Sequence, residues 1–161
     1  MPDENYNEFE NPVEDRYFED YEAGKRYRFG VESVDADEIM EFARRYDPQS
    51  IHTDRSAAEA GPFGGLIASG WQTASLMMRL FADNYLTAVA SLASPGIDEL
   101  RWVRPVRPGD QLSIICETVE ARPSRSRPDR GIIITAVTMV DGDEQPVLTL
   151  RAMNMVAKRS E

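Results

Sequence analysis

The chain contains 161 residues, 42% of them hydrophobic and 29% charged, with a formal net charge of −10 at pH 7. This length and balance predict one globular domain with its own core, and the acidic excess argues against nucleic acid or an anionic membrane surface as partners, because both attract Lys and Arg. No apolar run reaches the roughly 18 residues of a membrane span and the N-terminus lacks a signal-peptide pattern, so we expect a cytoplasmic protein without membrane contact.

Residues 1–15 are polar and acidic and include two prolines. This composition is typical of a mobile tail, although a strap laid over the surface has the same character. We interpret 1–15 as a mobile acidic tail and 16–161 as a single domain. The domain begins with a predicted strand, since aromatic and aliphatic residues alternate with Arg, Gly and Glu over residues 27–32.

A first helix is predicted to follow, with Asp35 as its N-cap and Glu38 placed to complete a capping box. Its apolar positions have helical spacing and form one face: Ile39, Phe42, Ala43 and Tyr46. The helix is expected to stop before Pro48, because proline disfavours helical backbone at the preceding residue. A short turn of helix fits residues 56–60, and the glycines within 61–65 break the helical pattern.

The segment from Leu66 to about Ala90 predicts a longer helix, with a possible break near Asp83. It is apolar on nearly all sides, as expected for a buried helix. Ser94-Pro95-Gly96 then indicates a loop. Four strands are predicted for the remainder: 97–104, 112–121, 131–140 and 147–156. One strand, helices and four antiparallel strands predict an α+β fold in which a sheet wraps around one apolar helix.

The stretch most suggestive of chemistry is Tyr46-Asp47-Pro48-Gln49-Ser50-Ile51-His52-Thr53-Asp54, which contains the only histidine. Asp47 and His52 cannot share one helix face across Pro48, but they can converge if the chain turns. An Asp and a His that face one cavity form an acid/base pair. The alternative is a helix end followed by a partly buried loop histidine. One Cys and one His cannot build a Cys/His metal cluster, and Cys116 is expected to be a small buried hydrophobe.

Asp47-Pro48-Gln49-Ser50-Ile51-His52 resembles the hydratase motif Asp-x-Asn-Pro-(Leu/Ile/Val)-His of the MaoC-like dehydratases, the family that includes the (R)-specific enoyl-CoA hydratases. Gln49 stands where that family has Asn, and Ser50 where it has Pro, which leaves substrate preference open. Further segments resemble the family: 17–24, 62–70 and 100–110. The resemblance implies the hot-dog fold, an antiparallel β-sheet wrapped around a long central helix.

The activity that this resemblance implies is reversible syn hydration of a trans-2-enoyl thioester of CoA (or of an acyl carrier protein), without a cofactor or metal. The residues that match the family's catalytic pair are Asp47 and His52. We assign His52 as the base and Asp47 as the proton donor to C2, a role that requires Asp47 to be partly buried. The family's oxyanion glycine matches Gly70, whose N–H would lie at a helix N-terminus. Close packing of helix against strand is the alternative reason for Gly70.

The resemblance also places five side chains at the substrate: Gln49, Ser69, Trp71, Arg104 and Arg107. The arginines are candidates for CoA phosphates, with solvated arginines at a sheet edge as the alternative, and packing is the alternative for Trp71. A homodimer or higher homo-oligomer is expected, because hot-dog sheets pair across a two-fold axis. Two other functions stay open. One is an acyl-CoA thioesterase, disfavoured because the central helix carries only Asp83 near its far end; the other is a non-catalytic acyl-thioester-binding subunit.

Overall fold

The computed structural model describes residues 5–161. Its helices and strands follow in this order: β1 (Arg26–Ser33), α1 (Ala36–Tyr46), α2 (Ser50–Thr53), α3 (Arg55–Ala60), α4 (Gly70–Asn84), β2 (Ser91–Trp102), β3 (Gln111–Pro123), β4 (Arg130–Val140) and β5 (Pro146–Ala157). Two short 3-10 turns, Val13–Asp15 and Phe18–Asp20, precede β1.

The sheet of the described chain has five antiparallel strands in the order β1-β3-β4-β5-β2. Near its centre Cys116 pairs with Tyr27 of β1 and with Val137 of β4, and it is fully buried as predicted. Side chains of α4 join the buried face of the sheet in one apolar cluster that includes Met77, Leu80 and Phe81. The predicted α+β architecture, a sheet wrapped around one central helix, is confirmed as the hot-dog fold.

Helix α1 forms for the predicted reasons. The Asp35 side chain accepts hydrogen bonds from the backbone N–H groups of Asp37 and Glu38, and the helix ends at Tyr46, just before Asp47-Pro48. The predicted apolar face is only half buried, however. Ile39 and Ala43 are inaccessible to solvent, whereas Tyr46 is exposed and lines a groove between α1 and α4.

The central helix is shorter than predicted, because it runs from residue 70 to 84 rather than from 66 to 90. Residues 66–69 are buried but not helical. The Ile67 N–H donates to Ile51 O and the Ala68 N–H to Val106 O, so the backbone is bonded to other segments. The Ser69 hydroxyl then accepts from the Trp71 N–H and caps the helix. The expectation of burial on all sides is also wrong, since Trp71 and Met78 are exposed.

Strand β2 corrects another prediction. Ser94-Pro95 lies inside the strand rather than in a loop, and the strand begins at residue 91 and ends at Trp102. Ala93 pairs with Met155 of β5 and Gly96 with Met153, so two residues of β2 bulge opposite one residue of β5. A bulge accommodates Pro95, which has no N–H to give to the ladder. On its other side β2 has no partner strand in the described chain.

The N-terminal segment lies against the domain. The Phe9 ring stacks on Tyr27 with centroids 4.0 Å apart and meets Tyr21 and Tyr85 edge-on. The guanidinium of Arg16 covers the other face of Phe9, 3.6 Å from the ring centroid. Phe9 therefore joins this acidic segment to the aromatic rings of the domain. The first four residues of the predicted tail lie outside the described residues.

Candidate active site

The turn after α1 brings the carboxylate and the imidazole together. Asp47 ends α1, Pro48 redirects the chain, and the single-turn helix α2 carries His52 back toward Asp47. Asp47 Oδ2 lies 3.4 Å from His52 Nε2. The His52 residue is only 5% exposed, and the Asp47 side chain is 17% exposed. The pair is thus largely shielded but open to solvent on the side of Asp47.

The tautomer of His52 follows from its second ring nitrogen. Nδ1 lies 2.7 Å from the backbone carbonyl oxygen of Ile67, which can only accept a hydrogen bond. Nδ1 therefore carries the proton in the neutral ring, and Nε2 presents its lone pair toward Asp47. The extended segment 66–69 thus orients the imidazole, which explains why helical structure there would be incompatible with the site.

Two side chains hold the carboxylate of Asp47. The Gln49 amide donates to Oδ1 at 2.6 Å, and the Ser69 hydroxyl donates to Oδ2 at 2.7 Å. These two hydrogen bonds, from Gln49 and from Ser69, lower the pKa of Asp47 below its ordinary value, with the nearby His52 adding to the shift against the opposing effect of burial. The carboxyl group is consequently ionised at neutral pH. Gln49 and Ser69, predicted to bind substrate, both contact Asp47.

The N-terminus of α4 adjoins this pair through Ser69, its N-cap. Among residues 5–161 no acceptor is bonded to the N–H of Gly70, so this donor remains available. A Cβ atom at this position would overlap the indole ring of Trp102, whose Nε1–H donates to Gly70 O at 2.8 Å. Close packing therefore requires glycine at position 70. Because glycine has no side chain, its N–H is also less shielded than that of any other residue.

The remaining predicted substrate residues lie apart from the pair. Trp71 is 58% exposed and contacts Trp102 edge-on, with ring centroids 5.1 Å apart. Arg107 donates to the backbone oxygen of Phe63 at 2.6 Å, and Arg104 reaches Gln145 only at 3.5 Å. Both arginines are exposed and are bonded to loops rather than to Asp47 or His52, and each guanidinium keeps free donors.

Two cavities flank α4. A groove of about 360 Å³ lies between α1 and α4, and a smaller cavity of about 120 Å³ lies between α4 and strands β2 and β5. Each is lined by a buried amide side chain whose oxygen has no partner, Gln72 in the groove and Asn154 in the small cavity. Sequence reasoning overlooked both. The available signal was a polar residue within an apolar pattern, since Asn154 interrupts the buried alternation of Ala152 and Val156.

In the part of the chain that the structure describes, no three His, Cys, Asp or Glu side chains lie close enough together to bind a metal ion. Burial raises the pKa of the Cys116 thiol, as for an unreactive core cysteine. Within residues 5–161 no helix is both long and apolar enough to cross a membrane.

Comparison with known proteins identifies the family. A model of the MaoC-like domain matches residues 20–139, and this match includes Asp47, His52, segment 66–69 and α4. The chain belongs to the MaoC-like dehydratase family. The hydro-lyase class is therefore supported at the general level.

Individual relatives agree with this assignment. 3-Hydroxyacyl-thioester dehydratase Z of Mycobacterium tuberculosis is 32% identical over 101 residues, covering 62% of this chain and 66% of that protein. The uncharacterized protein YdeM of Bacillus subtilis is 29% identical over 129 residues, covering 80% of this chain and 90% of YdeM. The crystal structure of a MaoC-like dehydratase from Rhodospirillum rubrum is 35% identical, with a TM-score of 0.84 and coverage of 91% and 99% of the two chains.

Proposed function

We propose that this protein catalyses the reversible hydration of a trans-2-enoyl-CoA thioester to a 3-hydroxyacyl thioester. The observation that carries the proposal is the pairing of Asp47 Oδ2 with His52 Nε2, 3.4 Å apart, beside the N-terminus of α4. Membership of a dehydratase family and similarity to a 3-hydroxyacyl-thioester dehydratase support the reaction class.

The pair is suited to holding a water molecule. With Asp47 ionised and His52 in its neutral form, whose proton lies on Nδ1, the two facing atoms are both hydrogen-bond acceptors. Two acceptors at this separation repel each other unless a donor lies between or beside them. A water molecule has two O–H groups and satisfies both atoms at once, leaving its oxygen lone pairs directed at C3 of the substrate.

The proton balance follows from the same arrangement. Neither Asp47 nor His52 holds a spare proton on the side that faces this water, so the proton that reaches C2 is the one removed from the water. Addition of both parts of one water from one side is syn addition. We assign His52 Nε2 as the base, because an imidazole is a stronger base than a carboxylate. Asp47 then acts as proton donor only with a proton that it has received from His52.

The enolate oxygen of the thioester is assigned to the N–H of Gly70. Negative charge develops on this oxygen as water adds, and an uncovered N–H at a helix N-terminus stabilises it both by hydrogen bonding and through the helix dipole. Ser69 fixes the position of Asp47 relative to the N-terminus of α4, since its hydroxyl donates to Asp47 and accepts from the Trp71 N–H. Gln49 completes the site by orienting the second carboxylate oxygen.

We propose that exposed side chains bind the CoA portion of the substrate. Arg104 and Arg107 are exposed arginines with free donors for phosphate, and Trp71 offers an exposed aromatic face. We further propose a cytoplasmic homodimer in which the unpaired edge of β2 is covered by a second copy. Exposed apolar side chains on and beside β2 support this: Leu92, Ile97, Trp102 and Val103.

A thioesterase is the second candidate, and the position of Asp83 disfavours it. A nucleophilic or general-base carboxylate on the central helix would need to lie near the thioester carbonyl. Asp83 is the only acidic residue of α4, it lies one residue from the helix C-terminus, and it is paired with Arg79 at 2.7 Å on the surface. A non-catalytic acyl-binding subunit would retain the fold, but it would have no need for an ionised Asp47 facing His52.

The deciding experiment follows loss of the enoyl-thioester absorbance of crotonyl-CoA and release of free thiol in the same samples. Asp47→Asn keeps the shape of the carboxylate, and His52→Asn keeps a donor for Ile67 O while removing Nε2. We expect both variants to lose about 10²- to 10⁴-fold in kcat. Asp83→Asn serves as the matched control, an acid-to-amide change on the surface of α4, and should retain full activity.

Each reading of the assay separates the candidates. Loss of absorbance without thiol release, abolished in both site variants, supports the hydratase. Thiol release would identify a thioesterase. Binding of acyl-CoA by calorimetry without any turnover of crotonyl or longer enoyl-CoAs would identify the binding subunit. Thermal unfolding of each variant verifies that a lost activity is not a lost fold.

A further inference from the structure

The small cavity between α4, β2 and β5 has an unusual lining. Its volume is about 120 Å³, and most of the surrounding side chains are apolar: Met77, Met78, Phe81, Ile97, Val137 and Ala152. Ser94 and Asn154 are the two polar residues in the lining. The Ser94 hydroxyl donates to Gly96 O at 3.3 Å, whereas the side-chain oxygen of Asn154 has no hydrogen-bond partner.

Asn154 is 6% exposed, and its Oδ1 is completely buried without a hydrogen-bond partner. Its carboxamide makes no hydrogen bond to any other group within residues 5–161. Asn154 lies on β5 between Ala152 and Val156, so it occupies the face of the sheet that packs against α4. A buried amide without partners is costly and rare, and such a group in a cavity indicates a ligand that completes its hydrogen bonding.

The bulge in β2 lies directly opposite this residue. Ser94 and Pro95 stand between the pairs Ala93–Met155 and Gly96–Met153, and Asn154 is the residue of β5 that they face. Because Pro95 has no N–H and the bulge interrupts the ladder, the strands are locally separated beside Asn154. The cavity is therefore built into the sheet by the bulge.

Two sets of contacts join α4 to β2, one at the start of α4 and one at the cavity, and we name the surface between them the α4–β2 seam. At one end, Trp102 of β2 bonds to Gly70 at the start of α4. At the other end, Ile97 and Ser94 of β2 meet Met77 and Phe81 across the cavity. Met77 is seven residues beyond Gly70, a distance of about 10 Å along the helix axis.

We propose that the cavity holds the far end of the acyl group and that Asn154 selects acyl chains carrying a hydroxyl group there. This inference rests on the proposed function, because it assumes a thioester carbonyl at Gly70. In this proposal the acyl chain starts at Gly70 and runs about 10 Å along α4 to the cavity, whose lining is mostly apolar. The hydroxyl donates to Oδ1 of Asn154, the buried atom that has no protein donor.

The lining distinguishes a hydroxyl from other polar groups. No Lys, Arg or His lines the cavity, so a carboxylate at the chain end would lose solvation there without gaining a cationic partner. A plain alkyl end fills the space but leaves the amide unbonded. A site that hydrogen-bonds a hydroxyl rejects the analogue without it more strongly than an apolar pocket separates alkyl chains.

The experiment compares kcat/KM for enoyl-CoAs of equal length with and without a terminal hydroxyl, in the hexenoyl, octenoyl and decenoyl series. We expect the wild-type protein to prefer the hydroxylated member by roughly 10- to 100-fold at the length that reaches the cavity. Asn154→Leu, which is nearly isosteric, should abolish or reverse this ratio. Met153→Leu is the matched control, since its side chain lies on the opposite face of the sheet and the ratio should persist.

Calorimetric Kd values for the corresponding saturated acyl-CoAs separate this inference from the proposed function. A hydroxyl preference in Kd that Asn154→Leu removes supports the inference even if no enoyl-CoA is hydrated, in which case the proposed function alone fails. Equal kcat/KM and equal Kd within each pair, or a preference that survives in Asn154→Leu, would overturn it. If Asn154→Leu does not fold, Asn154→Val provides the same readout.

Discussion

The two ends of the central helix are finished in opposite ways. At the C-terminal end of α4, Arg16 donates to the carbonyl oxygens of Asn84 and Tyr85 at 2.7 and 2.9 Å, and Tyr21 donates to Tyr85 O. At the N-terminal end, the N–H of Gly70 has no protein acceptor among the described residues. One end of the helix is thus saturated by side chains, and the other retains a donor.

The surroundings of the two ends differ in the same sense. Tyr85 is buried among aromatic rings, and its hydroxyl bonds to both Thr118 and Thr135, so polar atoms in that region are satisfied within the protein. At the opposite end, Asp47 Oδ2 faces His52 Nε2 at 3.4 Å. Polar groups at the C-terminal end are thus paired within the fold, whereas the N-terminal end leaves polar atoms for the proposed substrate.

Among the changes that test the two ends of α4, a side chain added at Gly70 should have the largest effect. Gly70→Ala places a methyl group against the indole of Trp102 and forces the helix start and its N–H to move. We expect kcat for enoyl-CoA hydration to fall by about 10²-fold or more, because displacement of one oxyanion donor has this effect, with a smaller change in KM. Steady-state kinetics on crotonyl-CoA provides the measurement.

Gly142→Ala is the control for this change, since a Cβ there meets open space. Near wild-type activity of Gly70→Ala would remove Gly70 from the oxyanion role. Thermal unfolding of both variants shows whether the methyl group at residue 70 also disturbs the fold.

The next effect concerns stability and the C-terminal end. Arg16→Met removes the guanidinium that bonds to Asn84 O and Tyr85 O and that covers the Phe9 ring. We expect the free energy of unfolding to fall by about 3 kcal/mol, because hydrogen bonds from a charged donor are lost and the helix carbonyls become unpaired. Urea unfolding followed by circular dichroism measures this loss.

Arg79→Met is the matched control on the exposed face of α4. Its salt bridge with Asp83 is on the surface and should contribute less than about 1 kcal/mol. Equal losses in the two variants would contradict the distinction between the capped C-terminal end and the solvated face. Catalytic activity per folded molecule should remain unchanged in both variants, because neither arginine approaches Asp47 or His52.

Sequence reasoning succeeded where the determining residues are close together in the chain. Asp35 and Pro48 set the limits of α1 by local hydrogen bonding and sterics, and the segments 112–121, 131–140 and 147–156 were predicted as the strands that β3, β4 and β5 form. It failed where contacts with distant segments determine the backbone conformation. Residues 66–69 have helical composition, but the N–H groups of Ile67 and Ala68 are bonded to distant segments, at Ile51 O and Val106 O.

The same limit applies to the site. The motif spacing identified Asp47 and His52, since both lie in one short turn. The contact of Ser69 with Asp47 spans 22 residues, and the placement of Phe9 depends on rings at residues 27 and 85, so neither could be inferred locally. The bulge opposite Asn154 was also hidden, because Ser94-Pro95-Gly96 has the composition of a loop.

The smallest effect, and the sharpest for the N-terminal end, is the pH dependence that Asp47 introduces. Its folded-state pKa is lowered by hydrogen bonds from Gln49 and Ser69. A lowered pKa means that the ionised group stabilises the fold above the ordinary carboxyl pKa of about 4, and that this contribution is lost as the pH falls from there through the lower folded-state pKa. Carbon-13 NMR titration of the Asp47 carboxyl should therefore give a midpoint below the ordinary value.

Removal of either donor should move this midpoint upward. Ser69→Ala and Gln49→Ala each delete one hydrogen bond to the ionised form, so the titration of Asp47 should shift toward the ordinary carboxyl value, by less than in a variant lacking both. Thr53→Ala is the control, because its hydroxyl donates to Gln49 O and not to the carboxylate. An unshifted midpoint in the double variant would mean that the pKa of Asp47 does not depend on Gln49 and Ser69. The N-terminal end of α4 would then not be a site whose protonation state is set by neighbouring side chains.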